Sequence, residues 1–312
     1  MKTFDNIQGL CPWCKCDDSS LVIETRDWRH SIPGSFRLYR CGNCGLLRQS
    51  PLPSWAELAT YYPSEYVSFS DTPENNNWLK KIINSSGYRE RVDLINLFSK
   101  EGNWLDVGCG TGEFLKYLQE IGKWNLYGLE PIENVASTAE KKLGFPIIKS
   151  TFESSTQFKD EFFDVITMWE VIEHLFDPVA AIGKAANLLK PGGVLVMSTP
   201  NLNAIDRSVF GDYWAGYDLP RHLHLFPISV LENICRNFHL GLIQEKCIGG
   251  SFTAWLIDLQ SWNVSRKNRL IKTILTNKGC NFPLRLATYI PRLAIKYLLL
   301  GTSITLVLRK NA

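Results

Sequence analysis

The sequence predicts an α/β protein, a mostly parallel sheet covered by helices, preceded by a small cysteine-bearing module. Three observations predict it. Apolar runs of strand length alternate with helical patterns over residues 103–200, as strands joined by crossover helices do. One of those runs ends in three alternating glycines, Gly108, Gly110 and Gly112, and a helical pattern follows at once. Five of the nine cysteines (Cys11, Cys14, Cys16, Cys41 and Cys44) lie within the first 44 residues.

In chain order, residues 1–50 form the cysteine module, with short strands expected at Ser20–Thr25 and Phe36–Arg40. Residues 51–100 form a connector and a leading helix. They carry Pro51 and Pro53, then Tyr61, Tyr62 and Tyr66, then a polar stretch from Ser68 to Asn77. Helical periodicity runs from Trp78 to Phe98. Residues 101–312 form the main domain. Its expected strands are Trp104–Val107, Leu126–Leu129, Ile147–Ile148, Val165–Met168 and Val194–Ser198. Expected helices between them cover Glu113–Ile121, Ile132–Leu143 and Pro178–Leu189. A helix over 227–238 and strands at Leu242–Ile248 and Ile304–Leu308 complete it, around a basic helical insertion at about 253–300.

The chain has 312 residues, enough for one large domain and one small one. With 45% apolar and 21% charged residues it is neither disordered nor fibrous. Its net charge of +3 conceals a split. Residues 1–258 hold 24 Lys+Arg against 31 Asp+Glu, whereas residues 259–312 hold 10 Lys+Arg and no acid. An acidic body with a basic end points to contact with something anionic. The opening MKTFDNIQGL lacks an apolar run, and nine is an odd number of cysteines. Together these read as a reducing, cytoplasmic setting without a disulfide framework. The most apolar stretch, 284–308, is interrupted by Arg285, Pro291, Arg292 and Lys296, so no membrane-crossing helix is expected.

The strongest motif is Leu105-Asp106-Val107-Gly108-Cys109-Gly110-Thr111-Gly112-Glu113. Its glycines permit a sharp turn and close approach of a ligand, and the helix start offers unpaired N–H groups. Eighteen residues after Gly112, Glu130 ends the second strand, where a carboxylate can accept from both ribose hydroxyls of a nucleoside. A dinucleotide site has a third glycine where this chain has Glu113. A carboxylate there suits a cationic ligand better than a pyrophosphate.

The glycine loop resembles motif I of class I S-adenosylmethionine (SAM) methyltransferases, and Leu129-Glu130-Pro131 resembles their second motif. The resemblance continues through Phe163-Asp164-Val165-Ile166 and Leu188-Leu189-Lys190-Pro191-Gly192-Gly193-Val194-Leu195. It implies a Rossmann-like sheet of seven strands, the last of them, Ile304–Leu308, antiparallel. It also implies that Gly108, Cys109, Gly110 and Gly112 line the methionine and ribose portion of SAM. By the same resemblance Asp106 orders the loop, Glu130 with Pro131 holds the ribose, and Thr151 and Phe152 lie near the adenine.

After the strand Val165–Met168 comes Trp169-Glu170-Val171-Ile172-Glu173-His174. Ligands bind at strand C-termini in such sheets, which places Trp169 and Glu170 at the cofactor. If the segment is helical, Glu170, Glu173 and His174 share a face. It resembles its counterpart in ubiquinone-biosynthesis O-methyltransferases and small-RNA 2′-O-methyltransferases, where it binds a metal such as Mg²⁺. Three readings stand side by side: metal ligands, a general base at His174, or a SAM contact at Glu170 with Glu173 and His174 capping the loop. Leu219-Pro220-Arg221-His222-Leu223-His224 supplies a second imidazole, and His222, after Pro-Arg, is the preferred one.

Cys11-Pro12-Trp13-Cys14 and Cys41-Gly42-Asn43-Cys44 form two C-x₂-C knuckles with 26 residues between them. Four thiolates so arranged suit tetrahedral structural Zn²⁺ in a zinc ribbon with a long hairpin. Gly45 follows the second knuckle, Lys15 takes that place after the first, and Cys16 is a bystander. A ribbon followed by a Tyr-rich connector and a methyltransferase domain resembles bacterial proteins of surface-glycan and secondary-metabolite pathways. The basic insertion sets Arg266, Arg269 and Lys272 at helical spacing, then Arg285, Arg292 and Lys296 on one stripe. It reads either as a helical lid or as a surface for the inner face of an anionic membrane.

The leading expectation is a methyltransferase that O-methylates a small glycan, lipid-linked or secondary-metabolite acceptor. An RNA-binding, RNA-modifying enzyme and a non-catalytic SAM-binding partner protein are the alternatives. No aromatic-basic RNA motif is present to favour nucleic acid.

Overall fold

The computed structural model describes residues 9–62, 78–248, 251–266, 268 and 294–311. The N-terminal module is built from β1 (Ser19–Thr25), β2 (Phe36–Cys41) and β3 (Leu47–Gln49). The connector carries α1 (Trp55–Ala59) and the leading helix α2 (Trp78–Ile95). The main domain follows with β4 (Gly102–Val107), α3 (Glu113–Ile121), β5 (Trp124–Leu129), α4 (Glu133–Leu143) and β6 (Phe163–Trp169). Then come α5 (Pro178–Leu188), β7 (Leu189–Pro200), α6 (Ile205–Phe210), β8 (His224–Leu225) and α7 (Ile228–Asn237). The domain ends with β9 (Leu240–Lys246), α8 (Ser251–Arg266) and β10 (Ser303–Lys310).

The main sheet has the order β5-β4-β6-β7-β10-β9, with β10 antiparallel to both neighbours. The expected strand at Ile147–Ile148 is reduced to one parallel bridge, Leu129 to Ile148, at the free edge of β5. Pro146 lies just ahead of it and cannot donate to a ladder. Six strands and that bridge fill the seven expected positions.

Alternation along the strands builds two cores. Leu105, Val107, Ile166, Met168, Leu195 and Met197 face α5 and α7. Trp104, Val165, Val194 and Val196 face α2, α3 and α4. A strand that is buried on both faces reads as a continuous apolar run, which is why these strands were visible in the sequence.

The cysteine module is not closed on itself. Its sheet has the order β1-β2-β3-β8, so its fourth strand comes from residues 224–225 of the main domain. Ile23, Leu38 and Leu47 of the module pack with Trp214, Tyr217, Leu219 and Leu225. The insertion expected at about 253–300 begins as α8, which ends at Arg266. Arg269, Lys272, Arg285 and Arg292 lie outside the described residues. Lys296 pairs with Glu90 of α2 at 2.9 Å. No helix among the described residues is long and apolar enough to cross a membrane.

Candidate functional site

The site forms where β4, β5 and β6 end side by side. Gly108, Gly110 and Gly112 all take positive φ, at 68°, 55° and 79°. A side chain would strain each of them. At Gly112 a Cβ would also meet Leu143 Cδ1 at 2.9 Å. The Cys109 thiol packs into the α3-side core, so this residue offers the loop its backbone. Asp106 is buried and accepts from Thr167 Oγ1 at 2.6 Å. Burial pushes its carboxyl up to about 6.

Glu130 brackets the loop from β5. Its Oε2 accepts from the Gly110 N–H at 3.1 Å and its Oε1 from the Ile132 N–H at 3.0 Å. Burial pushes it up to about 7. Glu113 does not act as the sequence suggested. It is half-exposed and pairs with Lys142 of α4 at 2.7 Å, so its charge is spent on the outer surface. Thr151 bonds Ser154 at 2.7 Å, while Phe152 is fully buried beneath it with Lys184 Nζ 5.1 Å from its ring. A cleft of about 270 Å³ opens beside the loop, lined by Thr111, Ile132, Asn134 and Val135 with Ala59 and Tyr62 of the connector.

The segment after β6 is not an α-helix. Glu170 sits at φ 55°, which no right-handed helix admits, because its N–H is drawn to the Ser198 carbonyl at 3.1 Å and hydroxyl at 3.0 Å on β7. One 3₁₀ turn, Ile172–His174, follows. This turn nevertheless brings Glu173 and His174 together with His222, all three offering donor atoms within 4.8 Å of one another. His224, the other candidate, stands on β8 and donates to the Leu175 carbonyl at 3.1 Å.

The donors in this cluster are prepared. His174 Nδ1 lies 2.9 Å from the Arg221 carbonyl, with the Tyr62 hydroxyl 3.0 Å away. His222 Nδ1 lies 2.8 Å from the Gly216 carbonyl. A carbonyl can only accept, so both rings carry Nδ1–H and keep the Nε2 lone pair. Burial, helped by His222, pushes His174 down to about 3, and burial lowers His222 too. Both rings are therefore neutral near pH 7. Glu173 is fully buried and neither carboxyl oxygen makes a well-formed hydrogen bond; the Thr199 hydroxyl and the Glu170 carboxyl are its polar neighbours. Burial, then the neighbouring Glu170, raises it well above the usual range. An unsatisfied buried carboxylate beside two neutral imidazoles is unfavourable alone and favourable around a cation.

Two site residues escaped the sequence reading. Arg91 of α2 lays its guanidinium carbon 4.3 Å from the Trp169 ring centre, with Asp106 and Glu170 facing it. Tyr62 closes over His174. The sequence signal was a Tyr-rich stretch for the second and none for the first, since Arg91 is one of six charged residues in α2.

The N-terminal cluster is equally ordered. Cys11, Cys14, Cys41 and Cys44 place their sulfurs within 4.8 Å of one another, the pairs Cys11–Cys44 and Cys14–Cys41 at 3.6 and 3.4 Å. A tetrahedron with metal–sulfur bonds of about 2.3 Å has sulfur–sulfur edges of about 3.8 Å. The knuckles turn alike: Lys15 N–H bonds the Cys11 carbonyl at 3.1 Å and Gly45 N–H the Cys41 carbonyl at 3.0 Å. Lys15 takes φ 59° where the second knuckle has Gly45 at φ 81°. The thiols fit a tetrahedral metal.

Comparison with known proteins bears on the fold and the family. Residues 84–245, just over half of the chain, match the family described as methyltransferase domain. A ubiquinone biosynthesis O-methyltransferase of Cereibacter sphaeroides (strain ATCC 17029) is 31% identical over 174 residues, covering 53% of this chain and 68% of that protein. The counterpart from Hydrogenovibrio crunogenus is 34% identical over 122 residues, covering 36% of this chain and 49% of that protein. This chain thus spans about half the length of the second of these relatives. A solved structure from Bacillus halodurans C-125, assigned to the methyltransferases, superposes with a TM-score of 0.50 at 17% identity, covering 72% of this chain and 98% of that one. It shows the fold alone. The fold is that of the class I SAM-dependent methyltransferases. The chain belongs to the methyltransferase-domain family.

Proposed function

We propose that this enzyme transfers the methyl group of SAM to a hydroxyl oxygen of a small acceptor, with a divalent cation held by Glu173, His174 and His222 beside Glu170. The observation that carries the reading is the Glu173 carboxyl, buried without a well-formed hydrogen bond next to two imidazoles whose Nδ1–H groups are already committed. Bound there, the cation supplies Lewis acidity that lowers the pKa of an acceptor hydroxyl. The donor set holds two nitrogens, so it favours Mn²⁺, Fe²⁺ or Zn²⁺ over the Mg²⁺ expected from carboxylates alone.

The chain's own residues do the positioning. Glu130 takes the ribose, the Gly108–Gly112 backbone lines the methionine and ribose, and Arg91 receives the methionine carboxylate. Tyr62 and α1 cover the cleft and exclude water. SAM's sulfonium is already activated, so alignment and a dry site supply much of the rate. The acceptor class rests on relatives named for ubiquinone biosynthesis. The four N-terminal thiolates take a structural Zn²⁺ in the same reading.

The test is release of S-adenosylhomocysteine from SAM with catechol-bearing quinol precursors, hydroxylated glycans and RNA offered in parallel, with Mn²⁺ or with a chelator. Turnover on a small hydroxyl acceptor that Mn²⁺ supports and chelation stops is expected. Glu173→Gln abolishes it while leaving SAM binding intact, and Gly110→Arg abolishes SAM binding itself. Turnover on RNA alone, or turnover indifferent to the chelator and to Glu173→Gln, rejects the reading.

A further inference from the structure

The N-terminal ribbon reaches the metal cluster through one arginine. Arg221 has a fully buried side chain. Its guanidinium forks onto Asp27 of the ribbon, Nη1 to Oδ2 at 3.0 Å and Nη2 to Oδ1 at 2.8 Å. Its other edge donates to Asp218, Nε to Oδ2 at 3.0 Å and Nη2 to Oδ1 at 2.6 Å. Nη1 also donates to the Tyr61 carbonyl at 3.0 Å, one residue before Tyr62. Asp27 is itself fully buried, and its Oδ1 accepts the backbone N–H groups of Arg29 and His30, each at 3.1 Å.

The backbone of residues 221–223 is what this clamp holds still. The Arg221 carbonyl accepts from His174 Nδ1 and so sets that ring's tautomer. The next residue is His222, whose Nε2 lies 4.0 Å from Asp218 Oδ2. The next again, Leu223, donates its N–H to the Glu173 carbonyl at 2.8 Å. Its own carbonyl accepts from Gln49 N–H of ribbon strand β3 at 2.8 Å. Each of the three donor residues is thus part of, or bonded to, a three-residue stretch tied to the ribbon by a bidentate ion pair and a strand pairing. Outer partners that fix a ligand's orientation commonly matter nearly as much as the ligand.

We propose that Asp27 is a positioning residue that holds the Glu173–His174–His222 constellation in register through Arg221, which makes the ribbon a working part of the methyl-transfer site. The inference rests on the metal reading above. A purely structural pair fastens the ribbon without influencing the imidazoles.

The distinguishing measurement is ¹⁵N NMR of the full-length protein with labelled histidines, before and after Mn²⁺, alongside SAM binding by calorimetry. In the parent protein His174 and His222 each show one Nδ1–H tautomer. Asp27→Asn mixes the His174 tautomers and weakens Mn²⁺ binding by about tenfold or more, while SAM affinity stays within about twofold. Leu38→Ala, in the ribbon core, is the matched loss of stability and leaves the tautomers unmoved. If Asp27→Asn does not fold, Arg221→Lys serves in its place, because it keeps the charge and loses the fork. Unmoved tautomers in these variants, or equal movement in Leu38→Ala, overturn the proposal. A parent protein with the stated tautomers but no Mn²⁺ affinity defeats the metal reading, and the positioning role is then decided by the tautomers alone.

Discussion

In the proposed site one buried carboxyl, Glu130, would tie cofactor binding to pH. Two backbone N–H groups hold its oxygens, yet burial still raises it to about 7. To accept from two ribose hydroxyls it must be ionised. Below pH 7 SAM binding therefore has to displace a proton. Affinity should fall by up to about tenfold per pH unit on the acid side and level off above pH 7. Calorimetry between pH 5.5 and 8.5 measures this, and Glu130→Gln should flatten the profile at low affinity. The same shift works oppositely on stability. The folded value lies above the unfolded one, so the cofactor-free protein gains stability from this group as pH falls from about 7 towards about 4.5. At this scale the sequence was legible wherever spacing encodes geometry: the glycines, Glu130, and Glu173 beside His174. Arg91, Tyr62 and Asp27 were not, because partners far along the chain decide what they touch.

At the level of elements, the long apolar strands and the helices between them were legible, since each must bury a stripe or a face. The elements that sequence reasoning missed are short and take their identity from a neighbour. β3 has three residues and β8 two, too few for alternation to show. The sequence admits a helix at Ile172–His174 because its residue spacing fits helix and turn alike, and the pull of Ser198 on Glu170 decides for the turn. The α3–α4 contact offers a test of how tightly such elements are set. Gly112 begins α3 at φ 79°, and its missing Cβ leaves room for Leu143 Cδ1 and the Ala139 Cβ of α4 at 2.9 and 3.1 Å. Gly112→Ala should cost about 1–3 kcal/mol, from backbone strain together with overpacking. Denaturant titration reads this loss directly. The neighbouring Gly122→Ala, also at positive φ but with open space around its Cβ position, isolates the backbone part.

Across the whole molecule, the sequence showed two modules and did not show that they share a sheet. β8 extends the ribbon sheet, and Trp214, Tyr217, Leu219 and Leu225 of the main domain fill one core with Ile23, Leu38 and Leu47 of the ribbon. A ribbon this small has little core of its own, so a metal held by its four thiols would supply much of its folding free energy. Without a metal there the shared core would be exposed and Arg221 would keep only Asp218 of its two buried carboxylate partners. Metal removal should therefore spread beyond residues 1–50. Treating the reduced protein with a strong chelator, or replacing Cys44 by Ser, should lower the melting temperature of the entire chain within a single calorimetric transition, with metal release and loss of the 202–225 segment's protection from hydrogen exchange following together. A separate low-temperature transition for the ribbon, with the main domain melting unchanged, would show instead that the shared sheet transmits no stability. The main domain and the N-terminal ribbon would then be two independent units joined by a connector.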